Sequence, residues 1–240
     1  MSDERLLWAK ASPSYKSLWH HMIDSGFCAA RLAEDPRFLC GTQLIAAYFD
    51  IEEQQAIDLV AYLAAMHDCY GKAHPAFQKK SIEDAATFVQ SGIISVLDQE
   101  RGYRHERYGA RLFRKRLAEL FHMNPLVARV LASAIELHHQ GKAGHANPPK
   151  RGKEQWTTMA DALHQRAIEL FHPQLDQLDH CNHCDACVLV LSSFVILADW
   201  IASSIPFEGL NEEDDTCYCT LSRALADHTV KEYGLSSDQP

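Results

Sequence analysis

The strongest constraint on the fold is an aspartate inside the most apolar stretch of the chain. Residues 188–202 read VLVLSSFVILADWIA, and only Ser192, Ser193 and Asp199 interrupt the apolar side chains. The run is shorter than the roughly 18 residues of a membrane span, so it predicts a buried core helix. An isolated buried carboxylate is costly unless it is protonated, paired or bound to a cation. Because this stretch contains no lysine or arginine, a metal ion is the simplest partner for Asp199.

Helical periodicity recurs along the rest of the chain, whereas alternating strand patterns are nearly absent. We predict helices near residues 14–34, 54–68, 83–97, 104–122, 125–140, 154–171, 187–204 and 217–232. No internal repeat and no long linker divides the 240 residues, so the sequence predicts one all-α globular domain over residues 1–240. This domain includes a basic loop at 141–153, a Cys-rich loop at 179–187 and a short C-terminal tail at about 233–240.

Composition excludes several classes of protein. With 47% hydrophobic and 23% charged residues the chain is not disordered, and a net charge of −9 argues against gripping duplex DNA by bulk electrostatics. The negative charge does not exclude a nuclease, because bound metal cations make the electrostatic potential inside a site positive. The N-terminal residues do not resemble a secretory signal, and eight cysteines in a chain of this length suggest reduced thiols or metal ligands. We expect a cytoplasmic protein with no membrane partner.

Histidines lie on helix faces where periodicity places apolar side chains. His21 shares the apolar face of the first helix, whereas His20 lies with Lys16 and Asp24 on an expected solvent face. In a later helix His122 falls beside charged residues, and we assign it to the surface. A single inward histidine is more often a hydrogen-bonded core residue than a ligand, so this signal alone decides nothing.

Three further helices repeat the pattern. An apolar helix ends in His67 and Asp68, His105 opens an apolar stripe, and His138 continues another with His139 beside it. Each residue alone could be a core histidine or a helix cap. With His21 and Asp199, however, five separate helices deliver imidazole or carboxylate to the inside. The combination predicts a metal centre.

The predicted ligands also indicate which metals and which chemistry. Imidazole and carboxylate without thiolate favour Mn, Fe, Co, Ni or Zn, with Mg less natural beside several histidines. The candidate ligands are His21, His67, Asp68, His105, His138, His139 and Asp199. They exceed the needs of one catalytic ion, whereas two ions sharing a bridging carboxylate would use them fully. Such a pair, roughly 3.5–4 Å apart, suits phosphoester hydrolysis.

The order His, His-Asp, His, His-His, Asp on successive helices resembles the HD-domain metal-dependent phosphohydrolases. More narrowly, it resembles the HD nuclease portion of the type I CRISPR-associated helicase-nuclease. The matching segments are LWHHMID at 18–24, AAMHD at 64–68, GKAHPAFQ at 71–78, RHE at 104–106, LHHQG at 137–141 and LADWIAS at 197–203. Two departures occur: Cys69 and Tyr70 both separate His-Asp from Gly-Lys, and Gln140 precedes Gly141. Neither departure removes a ligand.

The resemblance implies a ligand set and a mechanism. One ion would be held by His21, His67, Asp68 and Asp199, and the second by Asp68, His105, His138 and His139, with Asp68 as the bridge. A water between the ions would attack the scissile phosphorus of single-stranded DNA. Lys72 would steady the phosphate charge, and Ser203 would contact the DNA backbone or the ligand shell. Trp200 is expected in the core rather than stacked on a base.

The resemblance also implies partners. The nuclease would work with a superfamily 2 helicase, in the same or a separate chain, recruited by the CRISPR surveillance complex. We therefore predict a metal-dependent nuclease of type I CRISPR interference. The alternatives are an HD phosphohydrolase acting on nucleotides or cyclic dinucleotides, and a non-catalytic HD scaffold that binds a helicase.

A second possible metal site lies in the Cys-rich loop. Cys181, Cys184 and Cys187 have a spacing compatible with a structural zinc ion, and Cys217 or Cys219 could supply the fourth ligand. The alternative is a thiol-rich loop packed over the buried helix, because a free cysteine packs as a small hydrophobic residue.

Overall fold

Ser17 sets the start of the first long helix, because its Oγ accepts a hydrogen bond from the backbone N–H of His20 at 3.1 Å. The computed structural model describes residues 7–10, 16–78, 103–139, 154–208, 210 and 214–232. In it, helix α1 (Leu18–Glu34) follows an antiparallel pair of strands, β1 (Trp8–Lys10) and β2 (Lys16–Ser17). The predicted start at residue 14 is therefore wrong. Both strands are too short to show a period-two pattern in the sequence.

The other elements confirm the all-α class, and within the described residues β1 and β2 are the only strands. The longer helices are α2 (Leu39–Phe49), α3 (Glu53–Met66), α6 (His105–Phe121), α7 (Pro125–Glu136), α8 (Glu154–Phe171), α9 (Cys184–Ala202) and α11 (Asp215–Glu232). Single turns of helix are α4 (Cys69–Lys72), α5 (Pro75–Gln78) and α10 (Ile205–Glu208), with 3₁₀ turns at Leu137–His139 and Leu175–Gln177. The helix predicted at 83–97, the basic loop at 141–153 and the tail at 233–240 lie outside the described residues.

The structure also differs from the sequence prediction at α2, at the end of α7 and at the start of α9. The sequence does not predict α2, because this helix carries apolar residues on several sides and no side-chain cap. The helix predicted to run to residue 140 ends at Glu136 and tightens into the 3₁₀ turn that carries His138 and His139. Helix α9 begins at Cys184 rather than at residue 187, so the second half of the predicted Cys-rich loop is helical.

The buried end of α3 places two of the predicted ligands. Helix α1 packs along α3, α9 and α11, and α9 also packs on α7. The last turns of α3, from Leu59 to Met66, are buried. Because His67 and Asp68 follow this buried end directly, their side chains lie inside the bundle, where they are 0% and 1% exposed.

The face of α1 that the sequence assigns to solvent is covered by α11. Asp24 is fully buried, and the ammonium of Lys16 lies 2.5 Å from its Oδ2. Tyr218 and Ser222 of α11 donate hydrogen bonds to the two Asp24 oxygens at 2.9 and 2.6 Å, and the ring of His20 stacks on Tyr218. The solvent-face expectation is wrong for Lys16 and Asp24, because a distant helix supplies the partners that let the Asp24 carboxylate be buried.

Among the described residues one helix, α9, has the length and hydropathy of a membrane span. It packs against α1, α3 and α7, and it carries Asp199 at the polar site described below, so we interpret it as a core helix of the bundle. Its outward side nevertheless exposes Leu189 and Trp200, the latter to 58%. The expectation that Trp200 lies in the core is wrong.

Candidate metal centre

The structure brings the seven predicted ligand side chains to one place in two adjoining groups. The first group contains His21, His67, Asp68 and Asp199, and the second contains His105, His138 and His139. Within each group the ligand atoms lie within 4.8 Å of one another. These residues come from α1, the end of α3, α6, the 3₁₀ turn after α7, and α9. The fold therefore brings side chains from five helical segments together at this site.

The first group is buried and built around two carboxylates. Nε2 of His21 lies 3.3 Å from Asp68 Oδ2 and 3.2 Å from Asp199 Oδ1. Nε2 of His67 lies 3.1 and 3.5 Å from the same two oxygens. Each imidazole nitrogen thus faces both acids, and all four atoms surround one point.

The second group faces the other oxygen of Asp68. Nε2 of His105 lies 3.2 Å from Asp68 Oδ1, and Nε2 of His138 lies 3.6 Å from it. His139, which is exposed, brings its Nε2 to 3.0 Å from that of His105. Oδ2 of Asp68 therefore serves the first group and Oδ1 the second, as a carboxylate that bridges two ions would.

Several of these atoms are buried without a hydrogen bond, although their neighbours are close. Nε2 of His21, His67 and His138 and Oδ1 of Asp68 have no hydrogen-bond partner in the described part of the chain. Such an atom costs about 1–3 kcal/mol when it is left unpaired. Atoms that crowd together but miss hydrogen-bond geometry fit a shared cation. The residues present are therefore suited to hold divalent metal ions.

The backbone orients two of the imidazoles for metal binding. Nδ1 of His67 lies 2.5 Å from the carbonyl oxygen of Ala64, and Nδ1 of His138 lies 2.5 Å from that of Ile135. A carbonyl can only accept, so in the neutral ring the proton is on Nδ1 and the lone pair is on Nε2. Hydrogen bonds of this kind fix the tautomer and the ring orientation of metal-binding histidines.

The first group strongly favours positive charge. Burial alone would lower the pKa of His67, but the charges of Asp68 and Asp199 outweigh it and raise this pKa to about 10. Burial opposes ionisation of both acids, yet His67 and Lys72 hold the pKa of Asp68 well below its usual value. His21 and His67 do the same for the pKa of Asp199. In the metal-free protein, a proton on His67 therefore supplies the positive charge that Asp68 and Asp199 attract.

Two histidines of the second group, His105 and His139, favour the neutral imidazole. Burial lowers the pKa of His105 despite the nearby Asp68. Burial, together with His138 and His105, lowers the pKa of His139 to about 4. Neutral imidazole is the form that binds metals, so these two residues are ready to bind an ion at neutral pH.

Lys72 reaches the centre because α4 makes one helical turn after Asp68. The backbone N–H of Lys72 donates to the carbonyl of Asp68 at 2.7 Å, and its ammonium pairs with Asp68 Oδ2. Gln78 fixes this segment by donating to the carbonyls of Lys72 and Trp8 at 2.7 and 2.9 Å. The segment GKAHPAFQ therefore ties β1 to the turn that carries Lys72.

Ser203 contacts a predicted ligand. Its Oγ donates to Asp199 Oδ1 at 3.3 Å, one turn further along the chain. Of the two roles considered for Ser203, this placement favours the ligand shell, and contact with substrate stays a prediction.

Sequence reasoning missed Lys10 of β1. Burial lowers the pKa of Lys10, while the charges of Asp199 and Asp68 oppose the shift and that of Lys72 adds to it. Lys10 thus lies in the field of both acids beside Lys72. A lone lysine in an N-terminal segment without periodicity gives no signal that could have found it.

The cysteines of the predicted zinc site lie at the start of α9. Sγ of Cys184 donates to the carbonyl of Cys181 at 3.3 Å, and burial raises the pKa of the Cys181 thiol to about 11. Burial raises the pKa of the Cys219 thiol, which also lies in the field of Asp215 and Arg223. Within the described residues neither group of converging metal ligands includes a cysteine. Zinc binding by Cys181, Cys184 and Cys187 stays a prediction.

Comparison with known proteins identifies the same fold. The family model described as "Cas3, HD domain" matches residues 8–207. No curated protein sequence matches the chain.

Three solved structures are similar to the chain. T. fusca Cas3 with ATP has a TM-score of 0.72 and 19% identity, covering 97% of this chain and 26% of that one. The Thermus thermophilus Cas3 HD domain in the presence of Ni²⁺ has a TM-score of 0.71 and 21% identity, covering 98% and 92%. A chain of a CRISPR RNA-guided surveillance complex before nicking has a TM-score of 0.66 and 20% identity, covering 96% and 28%. The chain thus spans about a quarter of the first and third proteins and nearly all of the second.

Proposed function

The chain belongs to the Cas3 HD-domain family, and from this premise we propose that it is a metal-dependent nuclease that cuts single-stranded DNA. The reaction is two-metal hydrolysis of phosphodiester bonds within type I CRISPR interference. The observation that carries the proposal is Asp68, whose two oxygens face two separate groups of ligand atoms. A single catalytic ion would not need both groups.

This geometry supports the ligand sets that the resemblance implies. One ion would be held by His21, His67, Asp68 and Asp199, and the other by Asp68, His105, His138 and His139. When bound, the ions supply Lewis acidity and a nucleophilic hydroxide. The imidazole-rich donor set favours Mn, Fe, Co, Ni or Zn over Mg, and the similar Thermus thermophilus HD domain was crystallised in the presence of Ni²⁺.

The chain's own residues bind and orient the phosphate. His139 is exposed whereas His21 and His67 are fully buried, so the strand approaches from the side of the second group. The Lys72 ammonium beside Asp68 donates to a non-bridging phosphate oxygen, as a compact point charge. Ser203 helps to hold Asp199 in place by donating to its Oδ1.

The proposed partners are a superfamily 2 helicase, in the same or a separate chain, and the CRISPR surveillance complex. Two of the similar structures support this: one is Cas3 with ATP and the other is a surveillance complex, and this chain spans about a quarter of each matched chain. The net charge of −9 also implies weak intrinsic affinity for DNA, so the strand has to be delivered. A cytoplasmic location belongs to the same proposal.

The direct test uses metal-stripped protein and circular single-stranded DNA, which only an endonuclease can open. Mn²⁺, Ni²⁺, Co²⁺, Mg²⁺ and Zn²⁺ are added back separately, and nicking is expected with at least one of the transition metals. Hydrolysis of nucleotides or cyclic dinucleotides without DNA cleavage would favour the HD phosphohydrolase instead. Metal binding without any hydrolysis would favour the non-catalytic scaffold.

Lys72→Met is expected to lower the cleavage rate about 100-fold while leaving Mn²⁺ affinity unchanged or tighter. The ammonium stabilises charge on the phosphate, but in the metal-free protein it also occupies Asp68 Oδ2. Single-turnover cleavage at saturating Mn²⁺ and calorimetric titration with Mn²⁺ measure the two effects separately. The control is Lys115→Met, which removes an exposed lysine paired with Glu119. An unchanged rate in Lys72→Met would contradict the assigned role.

A further inference from the structure

A continuous network of buried and partly buried hydrogen bonds adjoins the metal centre and is centred on a helix that supplies no predicted ligand. His164 of α8 is 1% exposed, and its two ring nitrogens lie 2.5 Å from the hydroxyl of Tyr62 and 2.7 Å from that of Tyr70. The Tyr70 hydroxyl donates to Asp161 Oδ1 at 3.0 Å. Arg116 of α6 binds both oxygens of Asp161 at 3.0 and 2.7 Å. Helices α3, α4, α6 and α8 therefore meet in one network.

The network permits one arrangement of protons. The carboxylate of Asp161 only accepts, so the hydroxyl hydrogen of Tyr70 points to it. The Tyr70 oxygen then accepts from Nδ1–H of His164, which leaves Nε2 to accept from Tyr62. Burial, aided by Arg116, lowers the pKa of His164 to about 4, so the ring is neutral at neutral pH as this arrangement requires.

Tyr70 is the point where this network reaches the metal centre. It lies in α4, the single turn that follows Asp68 and carries Lys72. The thiol of Cys69 adds a second contact between α4 and α8 by donating to the carbonyl of Ala160 at 3.5 Å. Because the backbone N–H of Lys72 is bonded to the carbonyl of Asp68, a shift of α4 would move both side chains.

The opposite side of α4 is packed too closely to give way. A Cβ placed on Gly71 would lie 2.2 Å from the carbonyl oxygen of His105, so the backbones of α4 and α6 are in direct contact there. Contact with α6 therefore limits the movement of α4 in that direction, and the contact with α8 helps Gln78 to hold α4 there.

We propose that His164 is a positioning residue for the metal centre: by donating to Tyr70 it holds α4, and through α4 it sets the position of Asp68. His164 contacts neither metal nor substrate. Tyr62 has a separate role, because it donates to Nε2, the ring nitrogen that does not face Tyr70. This inference rests on the proposed two-metal site.

Two amide substitutions separate positioning from stability. In His164→Asn the side-chain amide takes the place of Nδ1 and keeps the bond to Tyr70, whereas in His164→Gln the amide takes the place of Nε2 and keeps the bond to Tyr62. Each variant loses one buried hydrogen bond, so similar losses of thermal stability are expected. Calorimetric titration with Mn²⁺ alone is expected to show affinity about tenfold weaker in His164→Gln and nearly unchanged in His164→Asn.

A second pair of variants covers the case in which the amides do not fold. Tyr70→Phe removes the hydroxyl through which α4 contacts His164 and should weaken Mn²⁺ binding about tenfold, whereas Tyr62→Phe should change it by less than about twofold. Equal Mn²⁺ affinities within either pair would overturn the positioning role. If the wild-type protein binds two ions but does not cut DNA, the proposed function fails while this inference is still tested, because its readout is metal affinity.

Discussion

Asp68→Asn is expected to reduce DNA cleavage by about 10³-fold or more and to lower the number of bound metal ions from two to at most one. The reason is that the two Asp68 oxygens contact different ligand groups. Oδ2 faces His21 and His67, and Oδ1 faces His105 and His138. An amide keeps the shape but offers one neutral oxygen, so it cannot attract both ions. Single-turnover cleavage and metal analysis of the purified protein measure the two effects.

Two other Asp→Asn variants test whether the effect is specific to Asp68. Asp199→Asn removes an acid that faces only the first group, so it should lose one ion and keep the second. Asp58→Asn changes an acid of α3 that accepts from Gln54 and lies outside both groups, so it should cut like the wild type. Two ions retained in Asp68→Asn would show that this carboxylate is not the bridge.

The candidate ligands could be predicted because each conflicts locally with its surroundings. An acid at position 199 in an apolar helix, or His67 and Asp68 after a buried one, is visible within a few turns of sequence. The family resemblance then grouped them, and the structure places them in that grouping. A local sequence pattern is enough to identify a candidate ligand when a polar residue occupies a position that the helix pattern assigns to the core.

The features that were missed depend on partners far away in the sequence. Asp24 is expected at the surface from its own helix, yet its hydrogen-bond donors lie on α11, 194 and 198 residues later. His164 follows the buried face of α8 like any core histidine, and its partners Tyr62 and Tyr70 are 102 and 94 residues away. No pattern within one helix encodes such contacts, because they arise only when the bundle closes.

Removing the metal is expected to reverse the way stability depends on pH. In the metal-free fold the pKa of His67 is raised from 6.5 to about 10, so the fold favours the protonated ring. Its contribution is complete below about pH 6.5 and is lost as the pH rises toward about 10, so metal-free stability should fall across this window. A bound ion replaces that proton, so metal affinity should rise with pH over the same range.

The limiting slope is about 1.4 kcal/mol per pH unit for one proton, so the difference in unfolding free energy between metal-loaded and metal-free protein should be about 2–3 kcal/mol larger at about pH 9 than near pH 7. Urea unfolding with EDTA or with Mn²⁺, at several pH values between these limits, measures it. His67→Gln is the control, because it keeps a hydrogen-bonding side chain but cannot titrate. If the EDTA-treated wild type and His67→Gln lose stability in parallel as the pH rises, the charge on His67 does not stabilise the metal-free fold. A steeper loss in the wild type would show that a proton on His67 takes the place of a metal ion beside Asp68 and Asp199.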